Sequence, residues 1–295
     1  MSKNKVIVRL KGGLGNQLFC YSVARRLALV NHAELVIDHV TGFRRDRIYN
    51  RDYALSSFAI PARFATSSER MEPLERYRRA LCKLIERRKP FCDRGYLESE
   101  YLDFDERVLH LRFKGTVYLD GLWFSEKYFS DIQDTIRSDL RPNTDLASQS
   151  PYYSEIVSTN SIAVHVRWFD SPSSSDGYNL STKYYSEAVA RICDMIPDAR
   201  FFVFSDQPAS ARKNLSFRPT SSVFIDHEDS EDKTALEFHL LRSCKHFIIA
   251  NSTYSWWASW LPENTEKIVI APRVQLRGKT AWGFKGLFPE TWITV

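Results

Sequence analysis

In the second half of the chain, short apolar runs rich in Val, Ile and Phe recur at 161–166, 201–205, 222–226, 246–250 and 267–271. Between them, at about 182–196, 208–215, 232–243 and 253–261, apolar residues fall at helical spacing. Continuous apolar strands separated by helices predict a parallel sheet covered on both faces. Right-handed crossovers then give a Rossmann-like, doubly wound domain. The first half opens the same way, with KVIVRL as strand, a glycine-rich turn, a helix near 16–31 and ELVID as strand. After Asp38 the pattern turns irregular until TVYLDG at 116–121 and a helix near 125–139. A polar stretch, RPNTDLASQSPYYSEIVSTN, follows at about 140–160, and no internal repeat is evident. The expected architecture is therefore α/β, with two Rossmann-like domains, 1–150 and 151–295, facing each other across a cleft. In such sheets ligands bind outside the carboxyl ends of the strands.

Length and composition agree with this picture: 295 residues, 43% hydrophobic and 14% aromatic, are enough for two cores of ordinary domain size. Charged residues, 26% of the total, are spread along the chain, which excludes disorder of the whole. The opening MSKNKVIVRLKGG lacks the apolar core of a secretory signal, and no window approaches ~18 consecutive apolar residues. Five cysteines, Cys20, Cys82, Cys92, Cys193 and Cys244, are widely spaced with no CxxC pair. Reduced thiols in a cytoplasmic protein are expected, and zinc is not.

The net charge of +5 is uneven, because residues 70–94 hold nine Lys/Arg against four Asp/Glu. Leu74, Tyr77, Leu81, Leu84 and Ile85 recur there at helical spacing, which predicts a basic amphipathic helix. Two readings stand. The helix is a solvated one packed on its own domain, or it makes peripheral contact with an anionic membrane or an acidic, lipid-linked substrate. Nucleic acid is not an expected partner, since no aromatic-and-basic strand pattern accompanies the cluster.

Four strand ends carry the candidate chemistry. In LKGGLGNQLF, at 10–19, Gly12, Gly13 and Gly15 separate the first strand from the first helix. Glycine lets backbone N–H groups approach an anion, and Asn16 and Gln17 add amide donors. The turn fails the dinucleotide fingerprint for want of a third glycine, and no Gly-Lys-Ser/Thr makes it a P-loop. A nicotinamide-dependent oxidoreductase is disfavoured on that ground.

In IAVHVRWFD, at 162–170, His165 and Arg167 lie two apart at a strand's carboxyl end, on one face. The arginine fork suits phosphate oxygens. FFVFSDQP, at 201–208, ends in Ser205 and Asp206, which serve either a ligand or the cap of the next helix. FIIANSTYSWWASWL, at 247–261, gathers Asn251, Ser252, Thr253 and Ser255 at a helix N-terminus, an anion site without lysine. Trp256, Trp257 and Trp260 at helical spacing read as core packing or as a stacking face. Glu237, on the preceding helix pattern, reads as a solvated charge or as a carboxylate facing the N1–H and amine of guanine. Asp103-Phe104-Asp105 matches the Asp-x-Asp pattern of metal-dependent nucleotide-sugar enzymes but sits in an irregular segment and reads as coincidence.

Together these motifs resemble the bacterial α-1,2-fucosyltransferase family. GGLGNQLF resembles its opening Gly-Gly-x-Gly-Asn-Gln loop, HVRWFD its His-x-Arg-Arg-x-Asp motif, FSDQP its second segment and CKHFIIANSTYSWWASWL its third. RDYALSSFAI at 51–60 and GLWFSEKYF at 121–129 are also similar to family segments. The resemblance implies a GT-B-type fold and inverting, metal-independent transfer of L-fucose from GDP-fucose to the 2-hydroxyl of a terminal galactose. It implies that GDP-fucose is a substrate and that no cofactor or metal is required. By motif, Arg167 would hold the diphosphate and stabilise departing GDP, His165 would contact the nucleotide and Glu237 would read guanine. Ser252, Thr253 and Ser255 would cradle phosphate or fucose. Gly13, Gly15, Asn16 and Gln17 would complete the site from an acceptor-side domain at 1–150, with GDP-fucose bound by 151–295.

The family context implies a galactose-terminated acceptor, lipid-linked at the inner membrane face. The chain departs from the family at Trp168, where a second arginine is usual, and at Phe169, Leu122 and Phe124. Trp168 implies either a weaker donor site or an aromatic platform for an unusual acceptor. Asp38, Asp120 and Asp170 are candidate general bases, none of them assigned. A fucosyltransferase of different acceptor linkage is one alternative, and a non-catalytic nucleotide-sugar- or carbohydrate-binding module is another.

Overall fold

The apolar runs do form parallel sheets. The computed structural model describes residues 3–99, 104–168, 179–215, 222–227, 233–273 and 286–295. The chain divides into two units, Met1–Asn143 and Thr144–Val295, each with its own sheet.

The first unit contains β1 (Lys5–Arg9), α1 (Leu14–Val30), β2 (Glu34–Asp38), β3 (Arg63–Phe64), α2 (Glu75–Glu86), β4 (Tyr96–Glu98), β5 (Thr116–Asp120) and α3 (Gln133–Asp139). Its strands run in the order β3-β2-β1-β5-β4, all pairs parallel. Val6, Ile7 and Val8 of β1 are buried, as a strand covered on both faces requires. α1 is buried around most of its circumference, and its Arg25 and Arg26 pair with Asp139 and Asp131 at 2.7 Å each. It follows a turn in which Gly12 has φ +75°, a conformation that glycine adopts without the Cβ penalty. A second close approach fixes Gly42, where a Cβ would lie 1.7 Å from the Leu10 carbonyl oxygen. Cys20, fully buried, donates its thiol to the Gly121 carbonyl at 3.2 Å.

The second unit contains α4 (Tyr153–Ser158), β6 (Asn160–Val166), α5 (Thr182–Cys193), β7 (Ala199–Ser205), α6 (Pro208–Asn214), β8 (Ser222–Phe224), α7 (Lys233–Arg242), β9 (His246–Ile248), α8 (Thr253–Trp260), β10 (Val269–Ala271) and β11 (Ile293–Thr294). The strand order is β11-β10-β9-β6-β7-β8, all parallel. Counted from β6, this is the Rossmann order 3-2-1-4-5-6, whose direction of winding reverses between β6 and β9. The reversal opens a crevice at the carboxyl ends of those two strands, so position alone marks it for a ligand.

Trp256, Trp257 and Trp260 are core residues. The first two are fully buried and lie 5.1 Å apart, and the Trp256 indole N–H donates to Leu287 O at 2.9 Å. The stacking-face reading of this helix is thereby set aside. All five cysteines are free thiols, with Cys20 and Cys244 buried.

Candidate functional site

At the switch point of the second unit, β6 and β7 are in register from Asn160↔Ala199 to Val166↔Ser205, so their ends are level. Arg167 and Asp206 each follow a strand by one residue and meet there. The Arg167 guanidinium lies 2.8 Å from Asp206 Oδ2, both side chains about a quarter exposed. Asp206 Oδ1 also accepts from the Trp168 backbone N–H at 3.3 Å. Burial raises the Asp206 pKa, and Arg167 opposes that shift. The arginine is therefore oriented by a carboxylate, with its side chain 28% exposed. Ser205 accepts from Gln207 N at 3.0 Å, a turn bond ahead of α6, whose N-cap is Gln207 and not Ser205 or Asp206.

His165 is buried, its ring 5.5 Å from that of Tyr254 and tilted by 30°. Its Nδ1 has no hydrogen-bond partner among the described residues. Burial, then the Arg167 charge, lowers its pKa to about 3. The imidazole is consequently neutral at physiological pH and offers a ligand a hydrogen bond rather than a cation. Two results are expected. Imidazole ¹⁵N shifts should show a neutral ring at pH 5, and a titration near the ordinary value of 6.5 would contradict the geometry. Because the unfolded chain takes up this proton below about 6.5 and the folded one does not, stability should fall as pH drops from there towards 3.

Across the switch point, β9 leads into α8. Ser252 caps that helix, accepting from Tyr254 N at 3.3 Å, and Thr253 begins its first turn. Asn251 is buried just before the cap. Ser255 is fully buried and donates to Ser252 O at 3.3 Å, so its hydroxyl faces the helix backbone. The Tyr254 hydroxyl donates to Thr234 O at 3.0 Å, tying α8 to α7, which carries Glu237. Glu237 lies 3.5 Å from His227 Nδ1, and its pKa is raised by burial despite that neighbour. His227 Nε2 in turn meets Ser150 Oγ at 3.1 Å. Glu237 is thus half-buried and held from one side, not a freely solvated charge. His227 was missed from the sequence, although it lies just past the end of β8, where strand-end reasoning points. His165, Arg167, Asp206, Asn251, Ser252, Thr253 and Glu237 therefore share one end of this sheet.

In the first unit, Gly13, Gly15, Asn16 and Gln17 form the turn and first residues of α1. Gly13 lies beneath Arg51, whose Nε would be 3.7 Å from a Cβ at that position. Arg51 reaches the turn from the start of the 51–60 segment. Gln17 is fully buried, donating through Nε2 to Gly12 O and Asp52 O at 2.9 and 2.8 Å and accepting from Ala54 N at 3.0 Å. Its side chain latches the 52–54 segment onto the glycine turn, so the Gln17 amide is spent within the fold, while Asn16 beside it is only half-buried.

Two of the candidate bases are structural carboxylates. Asp38 accepts from the Tyr118 hydroxyl at 2.7 Å and from Thr41. Asp120 accepts from Arg9, Lys11 and the Tyr96 hydroxyl at 3.0, 3.1 and 2.7 Å. Burial alone would raise its pKa, but Lys11 and Arg9 hold it down to about 2, which makes it a weak base. Asp170, Phe169 and Asp103 lie outside the described residues.

Trp168 is 2% exposed and packs in the core with Val166, Tyr184 and Tyr185. The aromatic-platform reading of this departure is thus corrected. The side chain lies on the same face as Ile162, Val164 and Val166, where the alternation of β6 carried on by two residues sets it. An aromatic wall does exist in the first unit, around a cavity of about 300 Å³ lined by Phe91, Phe104, Trp123, Tyr128, Glu98 and Arg107 among others. The Trp123 indole N–H is buried there with no hydrogen-bond partner among the described residues.

Comparison with known proteins agrees with this geometry. The sequence matches the family model described as Glycosyl transferase family 11 over residues 5–287. It is 27% identical over 300 residues to an alpha-1,2-colitosyltransferase of Escherichia coli, covering 98% of each chain. It is also 27% identical over 304 residues to the O-antigen biosynthesis glycosyltransferase WbnK of Escherichia coli, covering 97% of this chain and 99% of that one. Among solved structures, NodZ alpha-1,6-fucosyltransferase soaked with GDP-fucose aligns at TM-score 0.54 and 16% identity, covering 88% of this chain and 93% of that one. Arabidopsis thaliana FUT1 in complex with GDP aligns at TM-score 0.54 and 13% identity, covering 91% of this chain and 70% of that one. These likenesses bear out the GT-B-type fold of two Rossmann-like α/β units. With one family model spanning nearly the whole chain, the protein belongs to glycosyl transferase family 11 and is a glycosyltransferase that draws on a nucleotide sugar.

Proposed function

We propose that the protein transfers L-fucose from GDP-fucose to the 2-hydroxyl of a galactose unit in a bacterial surface glycan, with inversion and without a metal ion. The observation that carries this reading is the Arg167–Asp206 pair at the β6–β9 switch point, beside the capped N-terminus of α8. As the C1–O bond to GDP breaks and the acceptor oxygen bonds to C1, negative charge grows on the diphosphate. Arg167 and the backbone N–H groups of α8 are fixed donors suited to that charge. Neutral His165 and the half-buried Glu237 lie on the same sheet end, where the nucleoside would rest. The hydroxyl proton passes to solvent, since no carboxylate in the described structure is assigned as base.

The aromatic cavity of the first unit supports a sugar acceptor. Phe104 and Tyr128 rings pack at 4.8 Å in its wall, an apolar surface on which a sugar ring can lie. A second donor is favoured by one observation, the likeness along almost the whole chain to an alpha-1,2-colitosyltransferase. Colitose is the 3-deoxy counterpart of fucose, so both donors present the same nucleotide and the same 6-methyl group.

The test is to supply GDP-fucose and GDP-colitose in parallel, with EDTA, to galactose-terminated acceptors and to assign the linkage of the product by NMR. Acceptor-dependent GDP release with a fucosyl-(1→2)-galactose product is expected. A kcat/KM that favours GDP-colitose tenfold or more would replace fucose by colitose. Nucleotide binding without turnover on any acceptor would overturn the enzymatic reading altogether.

A further inference from the structure

Helix α2 is inverted with respect to its own protein. None of its residues is buried, and its inner face is polar except for Cys82, which packs against the core of the first unit. Arg79 donates to Thr41 Oγ1 at 3.1 Å, Lys83 pairs with Glu98 at 2.5 Å, and Glu86 accepts from Gly95 N at 2.7 Å. Tyr77, Leu81, Leu84 and Ile85 point the other way and are 70, 57, 58 and 48% exposed. At about 100° per residue these four span an arc of roughly 100°. Leu74, just before the helix, extends the same face and is 63% exposed. Arg76 borders this face on one side and Arg78 on the other, with Arg88 beyond its end. Arg76 and Arg88 form no ion pair among the described residues. The amphipathic period expected from the sequence is therefore present, but the expected packing of its apolar side on the domain is not.

A second observation adjoins the first. The first turns of α2 help wall a pocket of about 160 Å³ lined by Arg9, Arg44, Arg45, Arg76 and Arg79, with Glu75 as its one carboxylate. Arg9 is matched by Asp120 and Arg44 by Glu72 and Glu75, while Arg45, Arg76 and Arg79 form no ion pair within 4 Å among the described residues, though Arg79 acts electrostatically on Glu75. Sites for drug-sized molecules start at about 300 Å³, so a pocket of this size and charge suits a phosphate group.

We infer that α2 docks the protein on an anionic phospholipid surface, its apolar face in the acyl–headgroup boundary and a lipid phosphate in the arginine pocket. An exposed apolar stripe flanked by arginines is the pattern of a helix lying in that interface. A second copy of the chain is the poorer occupant, because a two-fold contact would set Arg76, Arg78 and Arg88 against their equivalents. The inference does not depend on which sugar the protein transfers.

Flotation of the full chain with vesicles tests it without reference to activity. Binding is expected to phosphatidylcholine vesicles that contain phosphatidylglycerol, to weaken with salt, and to be lost on phosphatidylcholine alone. The double substitution Leu81→Ser and Leu84→Ser should lower partitioning at least about tenfold. Arg76→Gln and Arg78→Gln should each lower it about fivefold. All four side chains are exposed, so thermal unfolding should match the wild type. Inorganic phosphate separates the two sources of anion. If it occupies the arginine pocket but the chain does not float, the site takes a soluble phosphate and the docking is refuted. Unchanged flotation of the serine variant also overturns the inference, as does a dimer in light scattering that the same variant dissolves.

Discussion

Arg167→Ala is expected to lower kcat/KM for the donor by roughly 10²–10³-fold, about 3–4 kcal/mol of transition-state stabilisation. The expectation follows from position and not from residue type alone. Arg167 stands at the carboxyl end of the central strand, level with Asp206 and across the switch point from the α8 cap. With Trp168 turned into the core, this sequence position supplies one side-chain cation and not two. The loss should fall mainly on kcat, since the diphosphate gains charge only as the sugar departs. Arg167→Lys keeps the charge but not the planar fork, and should recover part of the rate. Thermal stability should change little, because the pair is partly exposed. Steady-state kinetics of GDP release and a melting curve decide the matter. Near-normal turnover in the alanine variant would falsify the role.

Asp120→Ala should destabilise the first unit by about 1.5–3 kcal/mol, because it takes the carboxylate from half-buried Arg9, which keeps only its bonds to Thr41. Three donors converge on this side chain, from Arg9, Lys11 and Tyr96. Its pKa, held down to about 2 against an ordinary 3.8, fixes the pH dependence. A carboxylate depressed on folding stabilises fully above its unfolded pKa, and that contribution disappears as pH falls from about 3.8 to 2. Urea unfolding at neutral pH measures the first effect, and acid unfolding of wild type beside Asp120→Asn the second. A loss below about 1 kcal/mol in the alanine variant would show that Arg9 is resolvated and that the network is not what secures β1 to β5.

The second unit was legible in the sequence because its strands are buried on both faces, and such strands write themselves as unbroken apolar runs. β6 was expected at 161–166 and spans Asn160–Val166; α5 was expected to start at 182 and starts at Thr182. The first unit was less legible after Asp38. β3 has two residues, both exposed, and β4 has three, too few to show a period. α2 showed its period, but periodicity reveals which residues share a face and not which way that face turns. The direction depended on Glu98 and Thr41, which bind its polar side from other elements.

The candidate site divides along the same physical line. Residues at strand ends, such as Arg167 and Asp206, were found because the end of an apolar run is visible in one dimension. The role of Gln17 was not, because its partners at Asp52 and Ala54 lie in a distant segment. The burial of Trp168, by contrast, follows from the alternation itself, which sets it with Ile162, Val164 and Val166 on the face opposite His165 and Arg167. His227 gave no composition signal, and its importance comes only from its distance to Glu237.

The two buried thiols have a consequence of their own. Cys20 belongs to the first unit and Cys244 to the second. Burial pushes the Cys20 thiol up to about 12 and raises Cys244 as well, so neither is nucleophilic while its surroundings stay closed. An alkylating reagent reaches each sulfur only through an opening of the unit around it. The natural chain thus carries two internal clocks, one in each half, and mass spectrometry of the labelled peptides reads the two opening equilibria separately.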